Sequence, residues 1–305
     1  MSGDFPTRQF AEHRFADRLI VATRAKGPLC VGVDPHVALI PPLFGEPGPE
    51  AAVKWGMALI ERCASRAAVV KPQAGLFERW GASGLMALQE VCTAAKQAGL
   101  IVILDAKRGD IGTTAEGYAE GYLGAEGSCP CDAITVNPYM GVDTIEPFVK
   151  VAEREGKGVV VLARTSNPGS ADFQSKLIDG EPLYIHVARA LAPMITRLRS
   201  QNTGWSGLML VAGATGPGEA ARLRAAAGEA LFLVPGYGAQ GAGARDALAG
   251  FVQGPHGLEG GVVSASRSVA SPKGAMEAAT AVAWEQLIDH AIDAAQRELS
   301  VAVRG

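Results

Sequence analysis

The chain has 305 residues, of which 48% are hydrophobic and 19% are charged, so it can bury a large core. Its formal net charge of −3 offers no broad basic field for nucleic acid or for an anionic membrane surface. A small molecule is therefore the better expectation for a partner.

The N-terminal segment, MSGDFPTRQFAEHRF, is charged and amphipathic and lacks the apolar stretch of a secretory signal. No apolar run in the chain approaches the ~18 residues needed to span a bilayer. We therefore expect a cytoplasmic protein with no membrane contact. Residues 5–26 predict an extra helix ahead of the first strand.

Eight short apolar runs recur along the chain, and each is followed by Gly, Pro or polar residues and then a helix-like stretch. They are LCVGVD (29–34), AVVKPQ (68–73), LIVILDAK (100–107), AITVNP (133–138), GVVVLAR (158–164), LMLVAGA (208–214), ALFLVPGY (230–237) and GGVVSAS (260–266). This alternation predicts a parallel α/β fold, and eight units fit a TIM (β/α)8 barrel, whose closed ring leaves no strand edge exposed. We expect residues 1–305 to form a single domain, because such barrels often reach ~250 residues or more.

Between these runs, apolar periodicity predicts helices over residues 78–99, 182–200 and 274–299. The segment TSNPGSADFQSKLIDGE, residues 165–181, is rich in Ser, Gly and Asp and is long for a βα loop. We therefore expect it to be a mobile lid and not a linker between domains.

The cysteines are odd in number and scattered, which is unsuited to a disulfide framework: Cys30, Cys63, Cys92, Cys129 and Cys131. The C-P-C at 129–131 has no second cysteine pair or nearby histidine to complete a metal site, so free thiols before a strand are expected. The histidines also lie far apart in sequence, and each is expected to be structural or exposed: His13, His36, His186, His256 and His290.

Charged residues stand at the carboxyl ends of the first three runs, where barrel enzymes carry their chemistry. The first run ends in Asp34, the second has Lys71, and the third ends in Asp105 and Lys107. Because side chains alternate along a strand, Asp105 and Lys107 share one face, and Asp110 follows in the loop. A structural ion pair at the barrel mouth is the alternative. The second ammonium, Lys71, favours a functional network, since alternating charges hold each member ionised.

The last two runs predict an anion site. After the seventh comes VPGYGAQGAG (234–243), whose glycines let backbone N–H groups approach an anion, and after the eighth comes SASRSV (264–269), which contains Arg267. A glycine-rich loop alone is weak, because tight turns need glycine anyway. Paired with an arginine on the next strand, it predicts phosphate binding at the loops where TIM barrels often hold phosphate.

One stretch fits a known signature: VILDAKRGDIGTTA (102–115) contains the D-x-K-x-x-D-[IV]-x-x-T pattern. On this pattern and further motifs, the chain resembles the orotidine 5'-phosphate decarboxylases, in particular their longer bacterial subgroup. The further motifs are VGVDP (31–35), VVKPQ (69–73), TVNPYMG (135–141), RTSNPG (164–169), VPGYGAQG (234–241) and SASRS (264–268).

The resemblance implies decarboxylation of orotidine 5'-phosphate to uridine 5'-phosphate without cofactor or metal. Lys107 would stabilise and then protonate the C6 carbanion, and Asp105 would sit against the substrate carboxylate. Lys71 and Asp110 would complete the charge network. In the family, the residues matching Asp110 and Thr114 reach into the neighbouring subunit's site, so the resemblance also implies a homodimer.

The resemblance assigns the substrate contacts as well. Asp34 and Lys71 would bind ribose hydroxyls, and Ser166 would bind the pyrimidine edge. The phosphate would be held by Gln240, Arg267 and the backbone near Gly236 and Gly238. Asn167, beside Ser166, either caps a turn or contacts the ligand.

Two other functions stay open from the sequence. A magnesium-dependent sugar-phosphate decarboxylase or epimerase also uses D-x-K-x-x-D, but it would need an acidic metal ligand at a neighbouring strand end, where this chain has Lys71. A barrel that binds pyrimidine nucleotides without turning them over is the second alternative. The full Lys-Asp-Lys-Asp set is unnecessary for binding alone.

Overall fold

Eight parallel strands form a closed barrel in the computed structural model, which describes residues 14–238 and 240–305. They are β1 Leu29–Val33, β2 Val69–Pro72, β3 Ile101–Arg108, β4 Ala133–Val136, β5 Gly158–Arg164, β6 Ser206–Ala212, β7 Ala230–Val234 and β8 Gly261–Ala265. Each strand pairs with the next along the chain, and β8 pairs with β1. The predicted TIM barrel is confirmed, since each of the eight apolar runs overlaps one barrel strand. The single domain stays a prediction.

The helices of the described residues are α1 Phe15–Lys26, α2 Pro49–Cys63, α3 Ala74–Glu78, α4 Gly81–Gln97, α5 Gly112–Leu123, α6 Glu146–Glu155, α7 Leu183–Ala190, α8 Ala192–Arg197, α9 Pro217–Ala226, α10 Ala244–Ala247, α11 Arg267–Ala270 and α12 Ala281–Arg304. None of the helices in this part of the chain is long and apolar enough to cross a membrane. Several predicted helix boundaries were wrong, and two of these differences have a clear local cause. The helix expected over 182–200 is interrupted at Leu191, two residues before Pro193, whose ring nitrogen has no N–H to donate to the preceding turn. The last helix begins at Ala281, seven residues later than expected, where Thr280 Oγ1 accepts from Ala283 N.

Helix α1 lies against the amino-terminal end of the barrel. Phe15, Leu19 and Ile20 are buried in one cluster with inward-facing strand residues such as Val69 and Ile101. The described helix starts at Phe15, and the rest of the predicted helix, residues 5–13, lies outside the described residues. Because α1 covers one end of the barrel, the charged carboxyl ends of the strands are left at the other.

The segment after β5, predicted to be a lid, has local structure of its own. It contains a 3-10 turn at Pro168–Asp172 and a two-residue hairpin that pairs Leu177–Ile178 with Glu181–Pro182. At its base, Thr165 N donates to Gln174 Oε1 at 2.8 Å, and Gln174 Nε2 donates to Thr165 Oγ1 at 2.9 Å. That it moves stays a prediction.

The five cysteines are buried free thiols, as the sequence predicts. Cys129 and Cys131 of the C-P-C lie just before β4, packed against the core around the barrel. Within the described part of the chain, no group of three or more His, Cys, Asp or Glu side chains is arranged to hold a metal ion.

Candidate active site

Residues at the carboxyl ends of all eight barrel strands line a single cavity of about 290 Å³. Besides Lys107 of β3, they are Asp34, Lys71, Asp105, Thr135, Leu162, Val211, Leu233 and Ser264. The charged members come from β1 to β3 and the apolar ones from β5 to β7, so the cavity has one ionic wall and one apolar wall. Its size is near the lower end of the ~300–1,000 Å³ range of small-molecule sites.

The carboxylate of Asp105 lies between two lysines. Its Oδ2 accepts from Lys71 Nζ at 3.0 Å, and its Oδ1 accepts from Lys107 Nζ at 2.6 Å. The side chains of Lys71 and Asp105 are 7% and 9% exposed, whereas that of Lys107 is 46% exposed. Lys107 is therefore the ammonium of this network that a molecule entering the cavity reaches first.

The charges of this network stabilise one another. Burial by itself lowers the pKa of Lys71, but the carboxylates of Asp105 and Asp34 outweigh it and hold that pKa above its ordinary value. Burial likewise opposes ionisation of Asp105, but Lys71 and Lys107 hold its pKa well below the usual range. Lys71 is therefore charged and Asp105 ionised at neutral pH.

A bulge in β3 delivers Lys107 to this position. The register pairs Leu104 with Ile134 and next Arg108 with Val136, so three residues of β3, 105–107, lie opposite Thr135 alone. Lys107 has a φ of 47°, in the left-handed region that side chains other than glycine rarely adopt. As predicted, the side chains of Asp105 and Lys107 are in contact. The bulge brings them together, and not the regular alternation of side chains along a strand.

Asp34 presents an unused acceptor to the cavity. Its Oδ1 is buried, and nothing among the described residues donates a hydrogen bond to it. Buried carboxylate oxygens are normally hydrogen-bonded, so this atom is suited to accept from a ligand hydroxyl. The structure thus places Asp34 as the sequence predicts, at the end of β1 and beside Lys71.

The loops after β5, β7 and β8 form the far end of the cavity. Ser166, Gly236, Gln240 and Arg267 all line it, as predicted. Gly236 has a φ of 101°, and a Cβ there would lie 3.2 Å from the Ser166 side chain, so glycine permits this close approach. Asn167 also lines the cavity, and its Oδ1 accepts from Thr165 Oγ1 at 2.6 Å.

Gly238 does not line the cavity in this structure. It is exposed, and its backbone N–H donates to Ala242 O at 3.0 Å. Its φ of 72° serves the turn of the loop itself. The Gly238 N–H is used within the loop, and phosphate binding by the backbone near Gly238 stays a prediction.

Asp110 and Thr114 lie outside this cavity in a single chain. Asp110 is in the loop between β3 and α5, where its Oδ1 accepts from Ile111 N at 2.8 Å. Thr114 is exposed in the first turn of α5. Neither belongs to the Lys71–Asp105–Lys107 network of its own subunit.

Sequence reasoning missed several polar residues that line the site, among them Thr135 and His36. Thr135 is 1% exposed and contacts both Asp105 and the β3 backbone. A hydroxyl at an inward position of the apolar run AITV was the available signal. His36 lines the cavity from the loop after β1 but is exposed, as the sequence predicts for the histidines.

A larger cavity, of about 480 Å³, lies at the opposite end of the barrel. Its charged lining is largely paired within the protein: Arg24 with Glu259 at 2.8 Å and Arg66 with Asp293 at 3.3 Å. Barrel enzymes carry their chemistry at the carboxyl ends of the strands. We therefore assign the reaction to the smaller cavity, which holds the lysine-flanked carboxylate.

Residues 27–282 match the model of the Orotidine 5'-phosphate decarboxylase / HUMPS family. The chain belongs to this family. The membership confirms the resemblance that rests on the D-x-K-x-x-D pattern, while the longer bacterial subgroup stays a prediction.

Curated relatives in the family carry the decarboxylase name. The chain is 39% identical over 268 residues to an orotidine 5'-phosphate decarboxylase of Rhodopirellula baltica, covering 84% of this chain and 87% of that protein. It is 41% identical over 251 residues to one of Deinococcus radiodurans, covering 81% and 85%. Among solved structures, it matches Leishmania donovani UMP synthase with a TM-score of 0.73 and 37% identity, over 93% of this chain but 56% of that one. The chain therefore corresponds to about half of that synthase.

Proposed function

We propose that this chain decarboxylates orotidine 5'-phosphate to uridine 5'-phosphate, with Lys107 as the group that acts on the reacting carbon. The observation that carries the proposal is the accessible ammonium of Lys107, 2.6 Å from a buried carboxylate that is also bound to Lys71. The family and the names of the curated relatives support the same reaction.

The chemistry requires a fixed cation. Breaking the bond between C6 and the carboxylate carbon releases carbon dioxide and leaves the electron pair on C6, with no neighbouring group to delocalise it. A preorganised charge stabilises such a pair far better in a closed site than in water. Lys107 Nζ supplies that charge and then donates a proton to C6, which forms the C–H bond of the product. The neutral amine regains its proton from solvent.

Asp105 has two roles in this proposal. Its two short contacts hold Lys107 and Lys71 in place, and its negative charge faces the substrate carboxylate. The substrate carboxylate loses its charge as carbon dioxide leaves, so their repulsion falls along the reaction. An interaction that is less unfavourable in the transition state than in the bound substrate increases the rate.

The remaining contacts position the nucleotide. Asp34, with its unused Oδ1, and Lys71 would bind ribose hydroxyls, and Ser166 the pyrimidine edge. Gln240, Arg267 and the backbone at Gly236 line the end of the cavity assigned to the phosphate. Binding energy from the phosphate, remote from C6, would close the 165–181 segment and exclude water from Lys107.

We also propose that the active form is a homodimer in which Asp110 and Thr114 enter the partner's cavity. Both lie outside their own cavity, and large apolar side chains are exposed on the loops after β3 and β4: Ile111 (61%), Tyr139 (84%) and Met140 (45%). The loops after β3 and β4 that carry these residues pack together, because a Cβ at Gly109 would lie 3.2 Å from Asn137 O. Contiguous exposed apolar surface is typical of an interface.

The activity is tested by mixing purified protein with orotidine 5'-phosphate, without added metal, and following the loss of ultraviolet absorbance. We expect Lys107→Ala to lower kcat by about a thousandfold or more and to leave the fold intact by circular dichroism. Lys150→Ala, an exposed lysine on α6, is the matched control and should keep the wild-type rate. A Lys107→Ala variant with wild-type kcat excludes the assigned role.

The same assay separates the alternatives. Full activity in excess EDTA contradicts a magnesium-dependent reaction, and the position of the Lys71 ammonium, 3.0 Å from Asp105, is unfavourable for a divalent cation there. A protein that binds uridine 5'-phosphate but leaves orotidine 5'-phosphate unchanged would instead be a non-catalytic nucleotide-binding barrel.

The dimer is tested by subunit complementation. Asp110→Ala and Lys107→Ala chains, each expected to be inactive, are co-expressed. A mixed dimer then has one cavity with both native residues, so activity should return. If Asp110 acts within its own subunit, no mixed dimer has an intact cavity and activity stays absent.

A further inference from the structure

Thr135 occupies the one position of β4 that faces the β3 bulge. It is 1% exposed and points into the barrel, and β4 residues on either side of it pair regularly with Leu104 and Arg108 of β3. The backbone N–H groups of Ala106 and Lys107 lie in the bulge, outside the register pairs of β3 with β4. They need another acceptor, because buried N–H groups are almost always hydrogen-bonded.

The hydroxyl of Thr135 supplies that acceptor twice. Ala106 N donates to Thr135 Oγ1 at 3.0 Å, and Lys107 N donates to it at 2.8 Å. A hydroxyl has two acceptor lone pairs and one hydrogen. With both lone pairs used, its hydrogen is donated to Asp105 Oδ1, which lies 3.0 Å away. The direction of every hydrogen bond at Thr135 is therefore determined by its surroundings.

These bonds join the backbone and the side chain of the reacting lysine. Lys107 has a φ of 47°, which is unfavourable for a residue with a Cβ, and Thr135 accepts the N–H of that same residue. Through its hydrogen, Thr135 also orients the carboxylate oxygen that accepts from Lys107 Nζ at 2.6 Å. One side chain thus constrains both ends of Lys107.

We propose that Thr135 is a positioning residue for the decarboxylation: its hydroxyl holds the β3 bulge and the Asp105 carboxylate so that the Lys107 ammonium is directed at C6. This inference rests on the proposed function. Thr135 acts through Lys107 and Asp105. Loss of its hydroxyl should therefore lower the rate of the chemical step more than it weakens nucleotide binding.

The test compares three replacements at Thr135. Thr135→Val keeps the shape and removes the hydroxyl, and Thr135→Cys substitutes a thiol, which is a weak acceptor and donor. For both we expect kcat to fall roughly ten- to hundredfold, the loss typical of small displacements of a catalytic group. Thr135→Ser keeps Oγ and should restore kcat to within about threefold of wild type. KM should change by less than about threefold in all three.

To distinguish a positioning role from a purely structural one, kcat is expressed per functional nucleotide-binding site. Each kcat is divided by the number of uridine 5'-phosphate sites per chain from calorimetric titration, so unfolded protein does not lower the value. Thr144→Val is the matched control, because Thr144 is also 1% exposed and its Oγ1 donates to Gly141 O outside the cavity. It should lower thermal stability and leave kcat per site unchanged.

Two results overturn the proposal. One is a wild-type kcat per site in Thr135→Val or Thr135→Cys. The other is a tenfold loss in Thr135→Ser, which remains measurable even if the other two variants do not fold. Failure of the proposed function is a separate outcome, since the wild-type protein would then leave orotidine 5'-phosphate unchanged.

Discussion

Replacing Asp105 with asparagine tests how far the buried lysine depends on its carboxylate. The change keeps the size of the side chain and removes the charge between Lys71 and Lys107. Lys71 is 7% exposed on its side chain, so water cannot replace the lost partner. The variant is therefore expected to be less stable as well as inactive.

The size of the effect follows from the geometry. Two unit charges 3.0 Å apart attract each other by about 5 kcal/mol at an effective dielectric constant of about 20. Asparagine can still accept one hydrogen bond, which returns about 1 kcal/mol, and the charge of Asp34 still favours the Lys71 ammonium. We expect Asp105→Asn to lower the free energy of unfolding by about 3–4 kcal/mol, within the range for broken buried ion pairs.

The assay is urea denaturation followed by circular dichroism, at one protein concentration because assembly contributes to apparent stability. Asp172→Asn is the matched control, since Asp172 is exposed at the end of the 3-10 turn after β5. Its loss should be less than about 0.5 kcal/mol. If the free energy of unfolding of Asp105→Asn also falls by less than about 1 kcal/mol, then the Asp105 charge does not stabilise Lys71, and the charge network described above is wrong.

Three further measurements test the ionisation of Asp105, the packing of α1 against the barrel and the burial of the cysteines. Because the pKa of Asp105 is held well below its usual value, its stabilisation is complete above its unfolded pKa of about 3.9, and the stability difference between wild type and Asp105→Asn should shrink below about pH 4. Leu19→Ala, on the buried face of α1, should cost about 2–5 kcal/mol in urea denaturation, against less than about 0.5 kcal/mol for the exposed Val21→Ala. A thiol reagent should modify the five cysteines only after unfolding, since all are buried and burial raises the pKa of Cys30 to about 12.

Each of these measurements has an outcome that contradicts its reasoning. A stability difference that stays constant well below pH 4 would mean that Asp105 is not held ionised. Equal losses for Leu19→Ala and Val21→Ala would show that α1 does not pack against the barrel. Rapid modification of a thiol in the native protein would contradict the burial of the cysteines.

Local pattern was enough to predict most elements of the fold. The eight strands are short apolar runs ending in polar residues, and this signal is strong because each inward and outward position must be buried. The predicted ends of the helices were less accurate. The helix expected from 274 begins at Ala281, because Thr280 provides the N-cap, and a cap depends on one hydrogen bond that periodicity does not reveal.

Much of the site was also predictable, but its detailed geometry was not. Asp34, Lys71, Asp105 and Lys107 were found because charges directly after buried runs are costly unless they are used. Thr135 was not, because its role depends on a bulge that shifts the register between β3 and β4. The family resemblance assigned the backbone near Gly238 to the phosphate, and only the structure shows that the Gly238 N–H donates within the loop.

The sequence by itself thus determined the barrel, the strand ends that carry charge and the family signature, since these follow from local composition and spacing. Only the tertiary structure decided which charges meet. Lys71 and Asp105 are 34 residues apart in sequence, but Lys71 Nζ lies 3.0 Å from Asp105 Oδ2, because parallel pairing of β2 with β3 places their carboxyl ends side by side. Hydrogen-bond partners, the left-handed backbone of Lys107 and the unused oxygen of Asp34 depend on such long-range packing, which local sequence does not encode.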